Sequence, residues 1–135
     1  MGASVLINTS DTTLADSIRS RLQPPGVHVV ISQPGLSFMQ VARRQRPQVA
    51  LLDAVEERVD AAQMEIELLK ELRQDVRIIV LSRQPSQQDA WVVECGVFFY
   101  LAAPAVGEVV RVIEAAARAA LGARLAREVQ SRVRT

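Results

Sequence analysis

Short apolar runs alternate along the chain with stretches in which apolar residues recur every three or four positions. Runs of the first kind are typical of buried β-strands, and stretches of the second kind are typical of amphipathic helices. The pattern predicts five strand–helix units in strict succession. The predicted strands cover residues 4–7, 27–31, 49–52, 76–81 and 97–101.

The predicted helices lie between the strands and after the last one. In the first helix the stripe is Leu14, Ile18 and Leu22, with Ser10, Asp11 or Thr12 as its cap. The second helix follows Pro34-Gly35 and ends in an arginine-rich turn, where cations are favourable. In the third helix, capped by Asp60, the pattern predicts an inward stripe consisting of Met64, Leu68 and Leu72, widened by Ile66 and Leu69. A fourth helix is predicted between Pro85 and Gly96, and a last one from about Gly107.

Continuously apolar strands that alternate with amphipathic helices are typical of a parallel sheet with helices on both faces. The pattern therefore predicts an α/β fold with three layers, a doubly wound five-stranded sheet between two layers of helices. At 135 residues the chain fits one domain, and its core needs no disulfide or metal.

Composition excludes several classes of protein. The single cysteine, Cys95, rules out an internal disulfide framework and a multi-cysteine zinc site. No segment approaches the roughly 18 continuous apolar residues of a membrane span, and we expect no signal peptide. The net charge of +1 indicates no particular partner. We expect a cytoplasmic protein without membrane contact.

Three short motifs carry a resemblance to a known family. They are Arg46-Pro47-Gln48-Val49-Ala50-Leu51-Leu52-Asp53, Ile78-Ile79-Val80-Leu81-Ser82 and the run from Gly96 to Pro104. In this order and at this spacing, they resemble the receiver domain of response regulators in two-component signalling, a CheY-like, flavodoxin-like fold. The resemblance covers about residues 4–120 and implies strand order 2-1-3-4-5. It implies a receiver-like domain in residues 1–120, and residues 121–135 then form a helical extension or a linker.

The same resemblance assigns roles to single residues. Asp53 stands at the phosphoacceptor position, Ser82 and Tyr100 stand at the switch positions, and Ala103 stands where the family has a lysine. The family's two adjacent magnesium-binding carboxylates are most naturally replaced by Thr9 and Ser10. A shift by one residue gives Asn8 and Thr9, which are also uncharged.

These departures bear on the family's reaction. Transfer of a phosphoryl group to a carboxylate brings negative charge onto negative charge, and catalysis relies on a metal and on cationic groups. Magnesium is held by hard oxygen ligands, usually including carboxylates. We therefore expect a pseudo-receiver that is not an enzyme, binds magnesium weakly or not at all, and has no other cofactor or metal.

The role of Asp53 stays open among three alternatives. It is a working phosphoacceptor, a structural remnant that accepts hydrogen bonds from backbone amides or Ser82, or an ion-pair partner of Arg83 or another basic residue. Ser82 and Tyr100 are either switch residues or static residues of the core.

Aromatic residues cluster before and within the fifth strand. Trp91, Phe98 and Phe99 fall within nine residues of a chain that has few aromatics. In the resembling family the surface formed by the fourth helix, the fifth strand and the fifth helix binds partners and forms dimers. We expect a homodimer or a signalling partner at this surface. Packing of Trp91 and one phenylalanine over the altered site is the alternative.

The C-terminal stretch continues its apolar stripe through Leu121, Leu125 and Val129 and is rich in arginine. It is similar to the end of receivers in NarL-type transcriptional regulators, where a linker leads to a DNA-binding domain. A dimerising helix, a linker and a solvated tail are the three alternatives. We expect DNA contact only through a domain outside these 135 residues.

The preferred hypothesis is therefore a non-catalytic receiver-like module that acts by protein–protein contact. A slowly phosphorylated regulator with a degenerate pocket and the regulatory part of a transcription factor are the first two alternatives. A flavodoxin-like binder of a small ligand is a third, although the chain has no phosphate loop.

Overall fold

The computed structural model describes residues 3–22, 27–53, 59–82, 96–102 and 104–133. Five strands and four helices lie within these ranges. In chain order they are β1 (Ala3–Asn8), α1 (Thr12–Arg21), β2 (Val27–Ser32), α2 (Leu36–Gln45), β3 (Val49–Asp53), α3 (Val59–Leu72), β4 (Arg77–Ser82), β5 (Phe99–Ala102) and α4 (Val106–Val133). The helix predicted between Pro85 and Gly96 lies outside the described residues.

All strand pairs in the sheet are parallel, and the strand order is β2-β1-β3-β4-β5. This confirms the predicted fold class and strand order. Each strand that the sequence predicted is present, shifted by one or two residues at its ends. Because the strands are parallel, their carboxyl ends meet at one edge of the sheet, which we call the carboxyl edge.

Two apolar cores cover the two faces of the sheet. Alternate strand residues such as Val5, Ile7 and Leu51 pack against α1 and α4. Their neighbours, such as Leu6 and Leu52, pack against α2 and α3. Burial on both faces explains why the central strands read as continuous apolar runs rather than as alternating ones.

Helix α1 begins where one of the three candidate caps was predicted. The Asp11 carboxylate accepts a hydrogen bond of 3.0 Å from the backbone N–H of Leu14. Ile18 and Leu22 are buried, and Leu14 packs against the same core, so the predicted inward stripe is confirmed. Gly35, before α2, has φ of 100°, a backbone conformation that glycine adopts without steric cost.

Four of the five apolar residues predicted for the inward face of α3 pack against the core of the sheet, and Met64 does not. Met64, which heads the predicted stripe, is 70% exposed, whereas Ala62, Ile66 and Leu69 are buried against the sheet. Glu65 is buried with them. The four-residue rule misplaced Met64 because both sides of the helix carry apolar residues, and periodicity alone does not say which side meets the sheet.

Helix α4 extends well beyond the sheet. Its 28 residues correspond to a length of about 42 Å, against about 20 Å for a six-residue strand. The helix is continuous across residues 120 and 121, and Leu121 still packs against the core shared with α1. Leu125 and Val129, further along, are each 58% exposed. Within the described ranges, no helix combines the length and the apolar character that crossing a membrane requires.

Candidate functional site

Polar side chains converge at the carboxyl edge of the sheet. Asn8 ends β1, Ser32 ends β2, Asp53 ends β3 and Ser82 ends β4. The parallel register pairs Asn8 with Ser32 on one side and with Leu52 on the other, which brings these strand ends together. All four residues are buried. Buried polar groups are costly unless they are hydrogen-bonded, so their partners define what the site can do.

The Asp53 carboxylate is bound by a threonine. The Thr9 hydroxyl donates a hydrogen bond of 2.7 Å to Oδ2 of Asp53, and both residues are buried. The same hydroxyl oxygen accepts a hydrogen bond of 3.0 Å from the backbone N–H of Asp11. Thr9 is thus fixed on both sides, as donor to the carboxylate and as acceptor from the chain that enters α1. The sequence did not identify Thr9 as the donor.

The other residues that follow β1 are placed differently. Ser10, the second position of the degenerate acidic pair, is exposed. Asp11 is the first acidic residue after β1, and its carboxylate accepts a hydrogen bond from the backbone N–H of Leu14 at the start of α1. Among the described residues, no three histidine, cysteine, aspartate or glutamate side chains are grouped so that they could hold a metal ion.

A second buried network, which was not predicted from the sequence, lies beside Asp53. The Asn8 side chain donates to Oε2 of Glu65. Its Oδ1 accepts a hydrogen bond of 3.1 Å from the Ser32 hydroxyl. This network joins β2, β1 and α3. A signal was available, because Glu65 lies three residues after Ala62 and four residues before Leu69, which puts it on the same helix face. The predicted apolar stripe, which began at Met64, did not include it.

The remaining predicted site residues lie on β4 and β5 or outside the described residues. Ser82 is buried and pairs in the sheet with Ala102. Tyr100 is half-buried and packs against the core under α2 and α3. Phe98 and Phe99 are 42% and 47% exposed, so these two side chains are at the surface as expected. Ala103, Arg83 and Trp91 lie outside the described residues.

Comparison with known proteins places this fold. No protein-family model and no curated protein matches the sequence. Solved structures do match it. The CheY-like response regulator receiver domain protein from Methanospirillum hungatei superposes with a TM-score of 0.76 at 18% identity, over 90% of this chain and 98% of that one.

Two larger proteins contain the same arrangement. A response regulator from Burkholderia pseudomallei, solved with a phosphorylated aspartic acid, a calcium ion and citrate, matches with a TM-score of 0.71 at 24% identity, over 96% of this chain and 74% of that one. NtrX from Brucella abortus, in complex with ADP, matches with a TM-score of 0.79 at 14% identity, over all of this chain and 30% of that one.

The chain therefore has the receiver-domain fold of two-component response regulators. At these identities the likeness concerns the fold, and function must be argued from the site.

Proposed function

We propose that this protein is an atypical receiver module of two-component-type signalling that acts by protein–protein contact, without magnesium-dependent phosphorylation. The observation that carries the proposal is the Thr9–Asp53 hydrogen bond of 2.7 Å. Asp53 occupies the position of an acceptor aspartate, but the group that binds it after the end of β1 is the neutral hydroxyl of Thr9. That hydroxyl stabilises the carboxylate and supplies no negative charge with which to attract a cation.

The donor set does not fit magnesium. Mg²⁺ prefers near-octahedral oxygen coordination and is usually held by one or two carboxylates together with phosphate and water. Here the Thr9 hydroxyl is bound to Asp53, the Glu65 carboxylate accepts from Asn8, and the Asp11 carboxylate caps α1. Ala103 stands where the resembling family has a lysine, and its side chain carries no positive charge. We propose that magnesium binds weakly or not at all and that the protein is not an enzyme.

Chemical labelling tests the proposal. The full chain is incubated with Mg²⁺ and a small phosphodonor, and intact-protein mass spectrometry measures acyl-phosphate. We expect no label on the wild type, because the described residues group no carboxylates for a metal and Ala103 stands at the family's lysine position, so the charge of the incoming phosphoryl group is poorly offset. Restoring the family's groups in a Thr9→Asp, Ser10→Asp, Ala103→Lys variant is expected to produce label that Asp53→Asn removes. Stoichiometric label on wild-type Asp53 would overturn the proposal.

A slowly phosphorylated regulator is the second candidate. It is favoured by the place of Asp53 at the end of β3, and by the phosphorylated aspartic acid of the Burkholderia regulator with the same fold. Under this alternative, wild-type label accumulates slowly and incompletely and disappears in Asp53→Asn, so the same time course separates the two candidates.

The proposed contact surface includes the exposed Phe98 and Phe99 at β5. We propose that this surface also includes Trp91 and the helix predicted before Gly96. A second copy of the chain or a signalling partner binds to it. We further propose a cytoplasmic location, and DNA contact only through a domain outside these 135 residues. The NtrX match, which spans 30% of that chain, is an example of this fold within a much longer protein.

A further inference from the structure

A groove lies between α2 and α3, on the face of the sheet opposite α4. Its volume is about 280 Å³. Met39, Met64 and Leu68 supply apolar walls, and Glu65, Glu67 and Glu71 supply carboxylates. None of the described residues that line this groove is a lysine, arginine or histidine. The groove thus has apolar walls and a negative charge.

Large apolar side chains are unusually exposed around this groove. Met64 and Leu36 are each 70% exposed, and Met39 is 38% exposed. Single exposed apolar residues are common on protein surfaces, but a group of them beside a concave site indicates a binding surface. Methionine adapts its shape readily and is frequent at such surfaces.

The second half of α4 has its apolar residues on the outside. The buried stripe of this helix, which includes Ile113, Ala116 and Ala120, is continued four and seven residues after Ala120 by Arg124 and Arg127. Arg127 donates to Asp75 of its own domain at 3.0 Å. The outward side instead carries Leu125 and Val129, each 58% exposed. A helix that serves only its own domain has the opposite arrangement.

The outward face of α4 also carries positive charge. Arg118, exposed and two turns before Leu125, lies on the same side of the helix. Between residues 118 and 133 the sequence has four arginines and one glutamate, and two of these arginines, Arg124 and Arg127, lie on the inward side. We define the helix end as residues 118–133. Its charge and its apolar face complement the acidic, apolar groove between α2 and α3.

We propose that the helix end of α4 in one copy of this chain docks in the α2–α3 groove of a second copy. The chain's own helix end is held on the α1 side of the sheet by the core and by Asp75, so it does not serve its own groove. This contact uses neither Asp53 nor the Phe98–Phe99 surface, and it goes beyond the function proposed above. Groove and helix end are different surfaces, and a two-fold axis that brings each helix end to the other copy's groove would allow two copies to make the contact twice.

The test pairs one variant in each surface. Met64→Lys removes an apolar wall and repels arginine, and Leu125→Asp removes the apolar anchor and repels the glutamates. Both positions are largely exposed, so folding is expected to be preserved. For each variant alone, sedimentation velocity should show that the dissociation constant of the dimer is raised about tenfold or more. This factor corresponds to the loss of one buried leucine-sized group from the contact. Two exposed residues serve as matched controls that should associate like the wild type. Gln74→Lys lies outside both surfaces, and Gln130→Asp lies within the helix end but on a different side of the helix from Leu125.

Mixing the two variants gives the decisive result. The intact groove of Leu125→Asp can accept the intact helix end of Met64→Lys, so the equimolar mixture should form a mixed dimer through one contact. High salt should weaken this dimer, because the contact brings opposite charges together. A wild-type chain that stays monomeric, single variants that associate normally, or a mixture that stays monomeric would each overturn the proposal. Repeating the series with Phe98→Asp in every chain separates this contact from the Phe98–Phe99 surface.

Discussion

At the residue scale, the proposed loss of magnesium-dependent chemistry rests on Thr9. It stands where the resembling family has a magnesium-binding carboxylate, and here its hydroxyl donates to the buried Asp53. A buried carboxylate that keeps a donor can be retained for structure alone, because the hydrogen bond offsets part of its desolvation cost. Asp53 therefore has a physical reason to persist without phosphorylation.

Replacing Thr9 with valine removes the donor and keeps the shape. We expect the free energy of unfolding to fall by about 1–3 kcal/mol, since the buried carboxylate loses a partner. Thr9→Ser restores a hydroxyl and should recover most of the loss, and Thr13→Val, on the exposed side of α1, should change little. Urea unfolding measures all three. Equal stability of Thr9→Val and wild type would show that this hydrogen bond has no structural weight.

The Asn8–Glu65 pair is expected to couple energetically. Both side chains are buried, and each loses a partner when the other is truncated. A double-mutant cycle with Asn8→Ala and Glu65→Ala should give an interaction energy of about 0.5–3 kcal/mol. As a control, the cycle of Glu65→Ala with Ser20→Ala, an exposed residue on the far face, should be additive.

The site was only partly predictable at this scale. Asp53 and Thr9 could be placed because an apolar run fixes the end of a strand and parallel strands share an edge. Glu65 could not be placed, since its burial depends on how α3 rotates against the sheet. That rotation is set by packing with Phe38 and the strands, which no local pattern specifies.

At the element scale, the cap of α1 was predicted, whereas Asp60, predicted to cap α3, lies inside the first turn of that helix. The polar residues before α1 compete for a local role, namely satisfying the free N–H groups of the first turn. Which side of α3 faces inward is instead a tertiary property, because Met64 and Leu68 could serve as well as Ile66 and Leu69 by hydrophobicity alone.

The cap of α1 gives a direct prediction. Asp11→Ala should lower the free energy of unfolding by about 1 kcal/mol, because the N–H of Leu14 loses its acceptor. Asp11→Asn keeps an acceptor oxygen and should retain most of the stability. Thermal and urea unfolding measure the difference, and an unchanged Asp11→Ala protein would contradict a capping role.

The contact between α4 and the turn after α3 predicts a dependence on pH. Burial alone would raise the pKa of Asp75, but the hydrogen bond from Arg127 and the charges of Arg73 and Arg127 outweigh it, so the pKa lies below its ordinary value of 3.8. A carboxylate with a lowered pKa in the folded state adds stability above the unfolded pKa. This stability is lost as pH falls through the folded value.

Arg127→Ala should therefore destabilise the protein by less than about 1 kcal/mol at neutral pH, since the pair is solvent-exposed and screened. Its difference from the wild type should shrink as the pH is lowered below 3.8. Arg127→Lys, which keeps the charge, should fall between the two. A difference that grows toward low pH would contradict this account.

At the scale of the whole molecule, the fold was predictable because its signals repeat. Five apolar runs and the helices between them leave few alternatives to a parallel sheet covered on both faces, and the strand order followed from the resemblance. The surfaces were less predictable. Phe98 and Phe99 stood out by composition, whereas the α2–α3 groove depends on which face of α3 turns outward.

The Phe98–Phe99 surface predicts a change in association. Phe98→Asp places a charge in an exposed apolar surface and should raise the dissociation constant of any dimer or partner complex formed there by about tenfold or more. Analytical ultracentrifugation with circular dichroism separates lost association from lost folding. Identical sedimentation of the folded variant and the wild type would contradict the proposed homodimer at this surface.

The burial of β1 and β3 between two helical layers also has a kinetic consequence. Their backbone N–H groups bond to neighbouring strands on both sides, so deuterium should enter them only when the whole domain opens. Amides of the edge strand β2 should exchange through smaller openings. The slowest amides of β1 and β3 would then report the global stability directly, without added denaturant.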